Sequence, residues 1–95
     1  MSRIFVSLQH LMPVIIAHLE MAYPSIFSDV TYSLHDQGMG LIGLSLHSDT
    51  YPSTLFWIDA RFDVRPAFQS RYTEKQRQFD SNLKKKISEL LKRAA

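Results

Sequence analysis

Residues 73–95 read TEKQRQFDSNLKKKISELLKRAA, and this stretch decides the fold because its pattern is that of one capped amphipathic helix. Thr73, followed three residues later by Gln76, has capping-box spacing: hydroxyl and amide each satisfy a backbone N–H that the first helical turn leaves unpaired. Beyond the cap, Phe79, Leu83, Ile87, Leu90, Leu91 and Ala94 recur at three- and four-residue intervals and fall on one face. Such a face needs an apolar partner. In a chain of 95 residues, enough for one core and no second, that partner is the rest of a single domain spanning 1–95.

Hydrophobic residues make up 45% and charged residues 21%, ordinary globular usage that excludes a disordered chain. The chain has no cysteine, which removes a disulfide framework, a thiolate metal site and a thiol nucleophile, and suits a reducing compartment. A cytoplasmic location is the resulting expectation.

Upstream, Ile4, Leu8, Leu11, Ile15, Leu19 and Ala22 keep a helical period. Pro13 lacks the N–H that an interior position donates, so the helix is expected from about Met12 to Ala22. Arg3–Ser7 is read as a further helical turn, with a short strand as the alternative. Tyr23-Pro24 ends the element, since a residue before proline is pushed out of helical dihedrals. Gln9, His10, His18 and Glu20 interrupt the apolar run, so neither a signal segment nor a membrane span is expected.

The middle of the chain switches to a period of two. Val30, Tyr32 and Leu34 alternate with polar residues, and so do Ile42, Leu44 and Leu46. Between them Asp36-Gln37-Gly38-Met39-Gly40 supplies the glycines of a reversal, and pairing Leu34 with Ile42 and Tyr32 with Leu44 keeps the apolar sets together. A third strand over Thr54–Phe62 adds Phe56, Ile58, Ala60 and Phe62 to that face, and residues 63–72 form a connector. The predicted fold is α+β: a two-layer sandwich of helix, three-stranded antiparallel meander and helix, with both helices on one face of the sheet.

That arrangement leaves the opposite sheet face open. Alternation puts Thr31, Ser33 and His35 there, with Leu41, Gly43, Ser45 and His47, then Leu55, Trp57, Asp59 and Arg61. Trp57, Leu41, Leu55, Arg61 and His47, together with Tyr51 of the preceding loop, are therefore the candidate protein-binding residues. The competing reading of Trp57 is that its ring covers the bare backbone of Gly43.

Charge divides unevenly. Residues 1–70 hold three arginines against six acids, net −3, and residues 71–95 hold eight basic residues against three acids, net +5. Lys84, Lys85, Lys86, Lys92 and Arg93 are thus candidate phosphate contacts. They spread over about 200° of the helix, however, as a solvated outer face does.

Catalytic and metal-binding constellations are missing from the sequence. His10, His18, His35 and His47 show no HxxxH or HExxH spacing, and GMGLIG lacks the lysine of a phosphate loop. No cofactor is expected. The helix, three strands, helix order is similar to that of double-stranded-RNA-binding modules, although their basic cluster at the start of the last helix is unmatched by Thr73-Glu74-Lys75-Gln76. The expected function is a small non-enzymatic binding protein, a regulator or inhibitor that engages a partner protein through the open sheet face. The alternative is association with nucleic acid or the ribosome through the basic C-terminal helix. Homodimer formation by the same sheet face is compatible with either.

Overall fold

The computed structural model describes residues 3–50, 53–67 and 73–94. Helix α1 runs Arg3–Ala22, strands β1 Thr31–Asp36, β2 Ile42–His47, β3 Thr54–Ile58 and β4 Val64–Pro66 follow, and helix α2 runs Glu74–Ala94. The strands form one antiparallel sheet in the order β1-β2-β3-β4, and the two helices bury their apolar faces against one side of it. The architecture is the expected α+β sandwich with one strand more.

Helix α1 is continuous through Pro13. Ile4, Leu8, Met12, Ile15 and Leu19 stay in phase across that position and are all buried, so packing holds the helix together where one backbone hydrogen bond is lost. Pro13 itself is on the exposed side, Met12 rather than Leu11 is the fully buried residue of that turn, and Ala22 is exposed. By length and apolar composition alone α1 falls in the range of a membrane span, a test that core helices of globular domains also meet. Its buried face belongs to the core of this domain. After the helix, Tyr23 C=O accepts from the N–H groups of Ile26 and Phe27 at 3.0 and 2.8 Å, and this turn delivers Phe27 into the core at 1% exposure.

The first hairpin is registered two residues from the predicted pairing: Leu34 faces Leu44, Tyr32 faces Leu46, and Ile42 pairs with Asp36 instead of Leu34. Gly38, Met39 and Gly40 all take positive φ (80°, 58° and 74°), which centres the reversal on Met39. A slip of two preserves the side-chain faces, so the apolar set remains on the core side.

Where the sequence predicts one strand from Thr54 to Phe62, the chain reverses at Asp59. Its Oδ1 accepts from the N–H groups of Arg61 and Asp63 at 2.9 and 3.1 Å, and Phe62 adopts φ of 62°. Ala60 and Arg61 are therefore exposed turn residues, and the expected connector begins with β4.

Ile42, Leu44, Leu46, Phe56, Ile58 and Val64 form the sheet's contribution to the core, and Leu83, Ile87, Leu90 and Leu91 that of α2. Thr73 caps α2, its Oγ1 accepting from the Gln76 N–H at 3.1 Å. Beyond the cap, the Gln76 amide nitrogen donates forward to Asp80 Oδ1 at 3.0 Å. Asp80 is fully buried and also accepts from Thr54 Oγ1 at 3.1 Å, which ties the first turns of α2 to β3. Ring contacts of 5.9 Å join Tyr23 to Phe27 and to Phe79, where the end of α1 meets the start of α2. At the opposite end Ser7, His10 and Leu11 share a groove with Ala94, so the helices run antiparallel.

Candidate functional site: the uncovered sheet face

Among the described residues, one face of the sheet carries no helix. On it, pairing aligns His35, Gly43, Trp57 and Arg65 in a row across all four strands, and Ser33, Ser45 and Leu55 in the next row. Trp57 is half-buried, because its ring lies over the bare backbone of Gly43: a β-carbon there would stand 3.1 Å from Trp57 Cζ3 and 3.5 Å from Leu55 Cδ1. Trp57 therefore covers the glycine and also keeps part of its ring at the surface of this face. Leu55 is half-buried beside it.

The other candidates separate. Leu41 lies outside β2 in the loop, which its backbone closes by accepting from Gln37 N–H at 2.9 Å. Arg61 sits at the β3–β4 turn, away from the Trp57 row. Asp59, expected on the open face beside Arg61, instead commits its carboxylate to the turn's own N–H groups. His47 is exposed at the far end of β2, opposite Thr31, with Nδ1 at 2.8 Å from Ser53 Oγ. Four residues of strand, roughly 13 Å, separate its row from that of His35, so the two imidazoles do not act together. Tyr51 lies outside the described residues.

Arg65 was not anticipated. It comes from β4, directly opposite Trp57, and is exposed. Its signal in the sequence was the alternation of apolar Val64, polar Arg65 and Pro66 immediately after an Asp-rich turn. Arg65 also lines a groove between β4 and α2 with Asp63, Lys84, Lys85, Ser88, Glu89 and Lys92. Three of the five basic candidates thus share one groove, while Lys86 and Arg93 do not line it. Lys92 Nζ lies 2.7 Å from Asp63 Oδ1, and Arg93 pairs with Glu89 at 2.7 Å. The hydrogen bond from Lys92 and its charge, with Arg61 and Arg65 nearby, hold the Asp63 carboxyl below its ordinary value of 3.8.

Among the described residues no group of three or more histidine, cysteine or carboxylate side chains is placed to hold a metal ion. The face presents a half-buried indole, a guanidinium and small hydroxyls, bordered by a cationic groove. The chain has no significant match to any known protein family, curated protein or solved structure with which it was compared.

Proposed function

We propose that this protein is a non-enzymatic binding module that recognises a partner protein through the uncovered sheet face, with Trp57 and Arg65 as its anchors. The observation that carries the reading is the composition of that face. His35, Gly43, Trp57, Arg65, Ser33, Ser45 and Leu55 include no lysine and no carboxylate, while all five lysines of the chain stand on α2. Centres of protein interfaces are depleted in lysine and acids and enriched in tryptophan and arginine, the two residues most often found to dominate binding energy.

A second reading rests on a separate observation, the approach of Arg65 to Lys84 and Lys85 in the β4–α2 groove. Four cations, with Lys92, against two carboxylates make that groove suited to a polyanion.

One experiment separates the two. Partner capture from the source cell is compared for the wild type, Trp57→Ala and the triple change Lys84→Gln, Lys85→Gln, Lys86→Gln, each with and without nuclease and over a range of salt. The protein-binding reading expects Trp57→Ala to weaken binding by more than tenfold, given the roughly 2 kcal/mol that a tryptophan anchor contributes, with the triple change neutral. Binding that survives Trp57→Ala, falls with nuclease and declines steeply with salt removes it in favour of a nucleic acid.

A further inference from the structure

The two edges of the sheet are not alike. Strand β4 is three residues long, carries Pro66, and has α2 fastened beside it by the Ser88 hydroxyl donating to Phe62 C=O at 2.8 Å and by the Lys92–Asp63 pair. Short length, proline and a covering helix are the devices that stop an edge strand from pairing further. Strand β1 has none of them. It is six residues long, reads TYSLHD, contains no proline or lysine, pairs without a bulge from Thr31 to Asp36, and among the described residues has a strand neighbour on one side only.

The core also stops short of β1. Tyr32 and Leu34 point to the helix side, yet Tyr32 is 39% exposed where its partner Leu46 is fully buried, and Leu34 is half-buried where Leu44 is fully buried. The outermost strand overhangs, with apolar side chains that its own helices do not cover.

We propose that two copies of this chain associate through β1, antiparallel about a two-fold axis at Ser33, so that two four-stranded sheets become one of eight strands. The strand is self-complementary in that register. Thr31, Tyr32, Ser33, Leu34 and His35 alternate polar and apolar symmetrically about Ser33, so Tyr32 of each copy meets Leu34 of the other on the helix side, and Thr31 meets His35 on the open face. No formal charge lies within residues 31–35. The flanking acids Asp29 and Asp36 face Gln37 and Val30 of the other copy, so no like charges oppose each other. A shift of one residue would mismatch the faces, and a shift of two towards Asp36 would set that carboxylate against Tyr32. The symmetry closes the assembly, because it uses both β1 edges and leaves only the two obstructed β4 edges outside. One strand pair with two overhanging side chains per copy is small beside the roughly 1,600 Å² of a standard interface, so the dimer depends on concentration. This inference is independent of the Trp57 reading, since Trp57 stands two strands inward.

Sedimentation velocity of the full chain over micromolar to millimolar concentration, combined with cysteine crosslinking, tests it. The chain has no native cysteine, so a single Ser33→Cys is unambiguous. Facing residues of an antiparallel pair have α-carbons about 4.5–5.5 Å apart, within disulfide reach, and mild oxidation is expected to give a covalent dimer. Ser45→Cys, on the same face one strand inward, would stand roughly 14 Å from its symmetry mate and is expected to stay monomeric. Ser33→Lys sets two ammonium groups against each other at an exposed position, and should abolish the dimer while leaving the melting curve unchanged. Trp57→Ala should leave the dimer intact. A wild type that remains monomeric throughout overturns the proposal. So does a dimer that withstands Ser33→Lys, or one lost with Trp57→Ala and kept with Ser33→Lys, which would move the contact to the sheet face.

Discussion

Gly43 and Trp57 show how one side chain can serve both backbone and surface. Adding a methyl at Gly43 brings it to 3.1 Å from Cζ3 of the indole, tighter than ordinary contact, but the ring lies on the uncovered face and has room to lift. Gly43→Ala should therefore change stability by less than about 1 kcal/mol, because the strand gains backbone restriction as it loses ring contact. Trp57 emission should move to the red as the ring enters water, and an unshifted spectrum would mean that the ring does not rest on this glycine. Asp63 supplies a second residue-level test. Its carboxyl is held below 3.8 by Lys92, so its folded value is depressed; the stabilisation it confers is complete above the unfolded value and is lost as pH falls through the folded one. An NMR titration should place its midpoint below 3.8, and Lys92→Gln should move that midpoint upward. Of the site, Trp57 and Leu55 were legible because strict alternation assigns them a face. Arg65 was not, because the turn that creates β4 depends on one carboxylate accepting two backbone N–H groups, and Asp59 looked like a strand residue in a run of alternating side chains.

Each helix follows from its apolar period, and the boundaries follow from particular contacts. Leu83 and Ile87 are almost fully buried under α2. Leu83→Ala or Ile87→Ala should cost roughly 2–4 kcal/mol by leaving a cavity, read as a lowered denaturation midpoint, and an unchanged midpoint would contradict the packing of α2 on the sheet. Thr73 announced the start of that helix, and its hydroxyl makes the expected bond. The destination of Gln76 was not readable, since it depends on Asp80 being buried beneath it, a tertiary fact with no local signature. Hairpin register was legible only to within two residues: alternation fixes parity, and it took a third residue at positive φ, Met39, to set the centre. Pro13 argued for a later helix start, but a proline removes one hydrogen bond whereas five in-phase buried side chains hold the helix on both sides of it.

At the scale of the molecule, the sheet follows chain order and both helices are added from its ends. Charge is less even, with all five lysines on α2 beside β4. The antiparallel helices place Ser7 of α1 and Ala94 of α2 on one groove, so the N-terminal half of α1 lies beside the last turn of α2. The fold is thus nearly a closed loop, and its continuity can be cut elsewhere. A circular permutant that joins the two ends with a short Gly/Ser linker and opens the chain at Met39, a fully exposed loop tip, retains every strand pair and both helices. It should recover the parent near-UV circular dichroism. It should also refold more slowly, because the pairing of β1 with β2 changes from a local hairpin to the longest-range contact in the sheet and must then close nearly the whole chain.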